Sequence, residues 1–183
     1  MESSFRSSTR IWPWERQMAE SFEMIVDASS LNLACFEVKG QTHAVEVAHV
    51  REIVRMMEIT PLPRAPDLIE GVIELRGAVV PVVDLARLLG RGRSDRGSQT
   101  RIVVLGAGDL TLGLQVDAAT DVLGFSASRA EPVPELATSA GYDLVEFIVR
   151  PEDGPPIMVL SVDRLISRLL GTSPGNPPME VTG

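Results

Sequence analysis

The chain of 183 residues is poor in aromatics, at 4%, and holds one cysteine and two histidines. No apolar run approaches the ~20 residues needed to span a bilayer. Each shortage excludes something. With few rings the core must come from Val, Leu and Ile, and β-branched side chains favour pleated sheets. The lone Cys35 has no partner within the chain, so the fold cannot rest on disulfides, which suits a reducing, cytoplasmic compartment. His43 and His49 have no neighbouring ligand cluster, which leaves a zinc site or a Ser-His-Asp triad without its other members. Positive charge is also in deficit, with 17 Lys and Arg against 25 Asp and Glu and a formal net charge of -8. Nucleic acids and anionic membranes are therefore poor partners. There is no nucleophile elbow and no Walker sequence. Gly106 and Gly108 lack the third glycine of a dinucleotide loop and read as a turn between strands. Asp117 and Asp121 would share a helix face only if that segment were helical, and an isolated acid pair is usually solvated. The expectation is a protein that is not an enzyme and has no cofactor and no metal.

What the sequence does contain is 44% hydrophobic residues punctuated by 13 Pro and 15 Gly, a pattern of short strands and turns. Residues 33–38 and 43–47 read as a hairpin around Gly40. Residues 72–75 and 78–83 read as a second hairpin around Arg76-Gly77, followed by a short helix at 85–89 with Asp84 as its N-cap and Gly90 as its stop. After a polar loop over 91–100, strands are expected at 101–105, 111–116 and 122–125. A Pro/Ala/Ser-rich stretch through Ala140 reads as a long connection. A last hairpin at 144–149 and 157–160 leads into an amphipathic helix over 162–170 capped by Ser161.

Both ends differ from this body. In residues 1–30 Pro13 precedes Trp14, Met18, Phe22 and Ile25, whose spacing places an apolar stripe on one face of a helix. This leader is expected to be such a helix, docked or serving as a partner anchor, or else a partly disordered extension. Residues 171–183 are rich in Pro and Gly and are expected to be disordered. The domain proper is expected at 31–170.

A weak internal repeat runs through that domain. Displaced by 69 positions, Ala44-Val45-Glu46-Val47 falls on Gly113-Leu114-Gln115-Val116, and Glu52-Ile53-Val54 falls on Asp121-Val122-Leu123. Displaced by 77, Val82-Val83-Asp84-Leu85 falls on Val159-Leu160-Ser161-Val162. Two small β modules are the simplest account, each a strand followed by a turn ending in acid-apolar-apolar.

The most informative stretch is Gly71-Val-Ile-Glu-Leu-Arg-Gly-Ala-Val-Val-Pro-Val-Val-Asp-Leu85. Gly77 supplies a positive φ for a tight turn, which sets Arg76 at the tip. Pro81 cannot donate to a ladder and so predicts an edge strand or a bulge, and an edge strand beside a free Arg is a docking surface. Glu52 and Arg76 are expected to pair.

These residues resemble the CheW-like domains of bacterial chemotaxis. Glu74-Leu75-Arg76-Gly77 with Val79, Pro81, Val82, Asp84 and Leu85 is similar to their Asn-Leu-Arg-Gly signature, with Glu74 in place of the Asn. Val50-Arg51-Glu52-Ile53 resembles their Val-x-Glu-Ile turn. Pro61 to Gly71, Gly113-Leu114-x-Val116-Asp117 and Asp121-Val122-Leu123 resemble further family elements. The resemblance implies an all-β fold of two intertwined five-stranded SH3-like β-barrels with short helices. It implies an adaptor that couples methyl-accepting chemoreceptors to the histidine kinase CheA, in the cytoplasm at membrane-associated receptor arrays. One surface would meet the kinase's CheW-like regulatory domain, and a groove between the barrels would take the receptor's helical tip. The expected partner-binding residues are Val50, Glu52, Ile53, Gly71, Arg76, Gly77, Gly113 and Val122, with Val50, Ile53, Gly113 and Val122 along the groove. The alternative is a CheW-like scaffold in another kinase pathway, such as pilus motility or development.

Overall fold

A computed structural model describes residues 30–134 and 142–171. The expected leader helix, part of the long connection and nearly all of the C-terminal tail lie outside the described residues. In chain order the strands are β1 Ser30–Val38, β2 Gln41–Glu46, β3 Val50–Arg55, β4 Ile69–Leu75, β5 Ala78–Asp84, β6 Arg101–Ala107, β7 Leu110–Val116, β8 Ala118–Ser126, β9 Ala130–Pro132, β10 Val145–Val149 and β11 Ile157–Leu160. Helix α1, Leu85–Leu88, follows β5, and helix α2, Val162–Leu169, follows β11. Both expected caps form: Asp84 Oδ1 accepts from the Ala86 and Arg87 amides, and Ser161 Oγ accepts from the Arg164 amide.

The strands make two sheets. The first runs β8-β1-β2-β11-β10-β9 and the second β3-β6-β7-β5-β4. The repeat is therefore real but is not divided into two separate modules. Each half consists of a hairpin, a single strand, a second hairpin and a helix, and the halves exchange pieces. The β1-β2 hairpin sits with β8, β10 and β11 of the other half, while β6-β7 sits with β3, β4 and β5. Registers coincide under the same displacements. Cys35 faces Ala44 as Val104 faces Gly113, and Ala34 faces Val122 as Val103 faces Ile53. The parallel pair Ala44 and Val159 repeats as Gly113 and Val82. Even the irregularities recur: a β-bulge leaves Arg51 unmatched in the second sheet and its counterpart Thr120 unmatched in the first.

Each sheet also returns to its starting strand. The chain leaving β8 becomes β9 and pairs with the outer edge of β10, and the chain leaving β3 pairs through Thr60 with Val72 of β4. Thr60 and Val72 exchange both backbone hydrogen bonds, at 2.8 and 2.9 Å. Gly71 is required for that approach. Its φ is +150°, and a Cβ there would lie 2.3 Å from the Thr60 carbonyl oxygen.

Three local expectations are corrected. First, β5 is an interior strand between β7 and β4, not an edge, and its register is regular at Pro81; the bulge lies on the facing strand, between Ile69 and Gly71. Because Val72 turns its amide and carbonyl to Thr60, the Val72–Pro81 pair carries no ladder bonds, and Pro81 turns its missing N–H toward β7. Pairing with β7 begins only at Val82, so no donor is lost. Second, Val50-Arg51-Glu52-Ile53 belongs to strand β3 rather than to a turn; the bulge at Arg51 breaks the alternation by which a strand is read. Third, the segment holding Asp121 is strand β8, so Asp117 and Asp121 share no helix face.

Burial follows the same logic. Leu33, Cys35, Ala44, Val149, Ile157 and Val159 fill the inside of the first sheet. Ile102, Val104, Ile73, Val80 and Val82 fill the inside of the second. Between the sheets a larger core joins Phe36, Val45, Val83, Leu105, Leu114, Leu160 and residues of both helices.

Candidate partner-binding surface

The β4-β5 hairpin turns on two residues, Arg76 with φ 52° and Gly77 with φ 81°. Two left-handed residues in succession match the twist of the flanking strands. The β1-β2 hairpin turns on the same pair, Lys39 with φ 49° and Gly40 with φ 73°, so this conformation belongs to the turn type, and it sets the Arg76 side chain outward at the tip. Its guanidinium donates to Glu52 Oε2 at 3.1 Å, with the Arg76 side chain 80% exposed and Glu52 26%. The expected pair is present and ties the hairpin tip to β3. At that exposure it contributes no more than about 1 kcal/mol.

Beside this tip lies an apolar stripe that the sequence did not reveal. Val79 is 69% exposed and Leu110 49%. Val82 faces Gly113 in the parallel β5-β7 pair, and extending that register by three residues sets Val79 next to Leu110. Both continue the face that Val83 and Leu114 bury between the sheets. Nothing in their spacing distinguishes them from core residues.

The groove residues separate into two groups. Val50, Ile53 and Val122 are half-buried and pack on the core shared by the two sheets, Val50 and Ile53 from β3 and Val122 from β8. Gly113 does not join them. It is buried on the inner face of the second sheet, where a Cβ would lie 2.8 Å from Ile102 Cγ2, so it offers a partner no surface. Gly71 is likewise buried and serves the Thr60 approach. Gly77 is exposed at the tip with open space around it.

A polar clasp behind the hairpin also escaped the sequence reading. Glu70 accepts from Arg87 at 3.0 Å and from Arg93 at 3.0 and 3.1 Å. Buried Asp84, besides capping α1, accepts from the Ser94 amide at 2.8 Å and its hydroxyl at 2.7 Å. These bonds pin the 91–100 loop to β4 and β5. Such pairs have no sequence period by which to find them.

Cys35 and His43 are both buried. Burial, with the Asp121 carboxylate second, pushes the Cys35 thiol up to about 12. His43 is buried, donates from Nδ1 to the Gln41 carbonyl at 3.0 Å, and is pushed down to about 4, chiefly by burial. Among the described residues no group of three or more His, Cys, Asp or Glu is placed to hold a metal ion, and no helix is long and apolar enough to cross a membrane.

A protein-family model described as CheW-like domain matches residues 32–170. The chain belongs to the CheW-like domain family. The chemotaxis protein CheW of Rhizobium meliloti is 38% identical over 106 residues, covering 58% of this chain and 68% of that protein. CheW of Bacillus subtilis is 34% identical over 118 residues, covering 64% and 76%. In three dimensions the chain is similar to the CheW scaffolding protein of Thermoanaerobacter tengcongensis, with a TM-score of 0.67 and 28% identity over 75% of this chain and 88% of that one. CheW-like proteins of this kind are scaffolding adaptors of chemotaxis signalling and not enzymes.

Proposed function

We propose that the protein couples methyl-accepting chemoreceptors to the histidine kinase CheA, in the cytoplasm at membrane-associated receptor arrays. The observation that supports this reading most is the hairpin tip. Arg76 stands at the tip of a tight turn, is largely exposed, and makes only a weak ion pair with Glu52, which fits a side chain available for recognition beside the exposed Val79 and Leu110. Arg76, Gly77 and Glu52, with Val79 and Leu110 beside them, form the face for the kinase's CheW-like regulatory domain. The half-buried Val50, Ile53 and Val122 form the apolar seat for the receptor's helical tip, a helix-in-groove mode.

Binding of purified CheA regulatory domain and of receptor cytoplasmic fragments to Arg76→Ala and Val122→Ala separates the two faces. Arg76→Ala is expected to weaken kinase binding at least ~10-fold and to leave receptor binding intact, and Val122→Ala the reverse. Unchanged kinase binding by a well-folded Arg76→Ala would remove the tip from the interface.

A further inference from the structure

The exposed apolar stripe at the tip of the second sheet is part of a longer row. Val79 faces Glu74 across the β4-β5 hairpin, and Leu110 faces Ala107 across β6-β7. With Val79 next to Leu110, the four residues run across the sheet in the order Glu74, Val79, Leu110, Ala107. Residues directly opposite in an antiparallel pair share a face, and this is the face that Val83 and Leu114 bury farther along the same strands. The row is therefore an outward extension of core with a carboxylate at its end. Asp109, in the turn between Ala107 and Leu110, adds a second.

Charge at this tip is not balanced. Glu74 and Asp109 are exposed, and among the described residues neither carboxylate has a hydrogen bond or an ion pair. The two arginines nearby are engaged elsewhere, Arg76 with Glu52 and Arg51 with the Gly108 carbonyl at 3.2 Å. The backbone plan does not demand these acids. By the shared register the first sheet carries Arg150 where the second has Glu74, and Gly40 where it has Asp109. We propose that Glu74 and Asp109 select the partner that docks on this tip by requiring a surface whose apolar centre is flanked by Lys or Arg side chains. With the tip taken as the face for the kinase's regulatory domain, as proposed above, that domain presents those cations. Contact at Val79 and Leu110 is satisfied by any apolar surface of the right shape. Two free carboxylates beside them are not, because a partner that covers them without cations leaves buried charge unpaired. With cations opposite, they speed the encounter and are screened by salt.

The test follows binding of purified CheA regulatory domain to the full-length protein as ionic strength is raised. The wild-type protein is expected to lose affinity several-fold, chiefly through slower association. Glu74→Gln combined with Asp109→Asn should start several-fold weaker and respond less to salt. Glu74→Lys should weaken kinase binding at least ~10-fold at low salt while leaving thermal melting and receptor-fragment binding unchanged. Leu110→Ser, which alters no charge, reports on the docking itself and should also weaken kinase binding. Binding weakened by Leu110→Ser but kept or tightened by Glu74→Lys would overturn the charge selection and leave the tip as the kinase face. A wild-type affinity insensitive to salt would do the same. Kinase binding unchanged by both Leu110→Ser and Glu74→Lys would overturn the two together.

Discussion

The two sheets share a backbone plan and have diverged in what they put on it. Their inner cores correspond residue by residue, Leu33 with Ile102, Cys35 with Val104, Val149 with Ile73, Ile157 with Val80 and Val159 with Val82. At three further matched positions the residues differ in kind: Ala44 against Gly113, His43 against Leu112, Phe147 against Gly71. The hairpins differ too. The second sheet's is a two-residue turn that leaves Arg76 outward beside Val79 and Leu110. The first sheet's is a longer loop over 150–156, braced by Arg150–Glu131 and Arg129–Glu152, and Gln41 and Pro156 stand where Leu110 and Val79 would be. Register is thus the conserved quantity within the molecule, and the exposed apolar tip is a property of one copy of the plan. The fold does not require it.

If that comparison is sound, exchanging residues between matched positions should have unequal consequences. The largest effect is expected at Gly71, where Ala brings a Cβ against the Thr60 carbonyl in a backbone conformation hostile to side chains. Gly71→Ala should destabilise by ~3 kcal/mol or more in urea melts, although its counterpart Phe147 tolerates a full ring. A loss below ~1 kcal/mol would show that the Thr60–Val72 bridge is dispensable.

Next is His43, whose counterpart is Leu112. Its folded value, about 4, lies below the ordinary 6.5, so the unfolded chain binds the proton more tightly between these pH values. Stability is full above pH 6.5 and falls toward pH 4, by up to ~3 kcal/mol at pH 4. His43→Leu should abolish that portion of the pH dependence in paired melts, leaving whatever the carboxylates contribute.

A smaller effect, ~1 to 3 kcal/mol, is expected for Gly113→Ala, because Ile102 Cγ2 occupies the space. At the matched positions the first sheet carries Ala44 in place of Gly113 and, in place of Ile102, Leu33, which is not branched at Cβ. Adding Ile102→Leu should therefore rescue Gly113→Ala, a non-additivity that a double-mutant cycle measures. The smallest effect belongs to Glu52 and Arg76. Their coupling energy in a stability cycle with Glu52→Gln and Arg76→Ala should stay under ~1 kcal/mol and shrink with salt. A larger value would make the pair a structural device.

Much of this was legible in the sequence where local chemistry decides. Arg76-Gly77 announced its turn, Asp84 and Ser161 their caps, and the Ala-Val-Glu-Val and Gly-Leu-Gln-Val repeats their equivalence. The failures have physical reasons. The bulge at Arg51 hid β3, and the Ala-Glu-Pro of β9 carries no strand signal, because its pairing is imposed by β10. Pro81 looked like an edge because its sequence cannot say which side of the strand its nitrogen faces. Gly113 and Gly71 read as site residues, yet each is shaped by a neighbour far along the chain, Ile102 and Thr60. Val79 and Leu110 could not be told from core, since exposure is a property of the packed sheet.

The exchange of strands also sets an order of events during synthesis. All the strands of the second sheet lie between residues 50 and 116, so the emerging chain can complete it before β8 and everything after it is made. The β1-β2 hairpin is made first but borders β8 on one side and β11 on the other, and β11 ends at Leu160. At ribosomal rates of roughly 5 to 20 residues per second, both its edges stay unpaired for several seconds after translation of β2. The first hairpin to be made is thus the last to be enclosed. A nascent chain halted after β7 would carry a finished second sheet together with an orphan hairpin, a ready template for pairing with its neighbours on the same message.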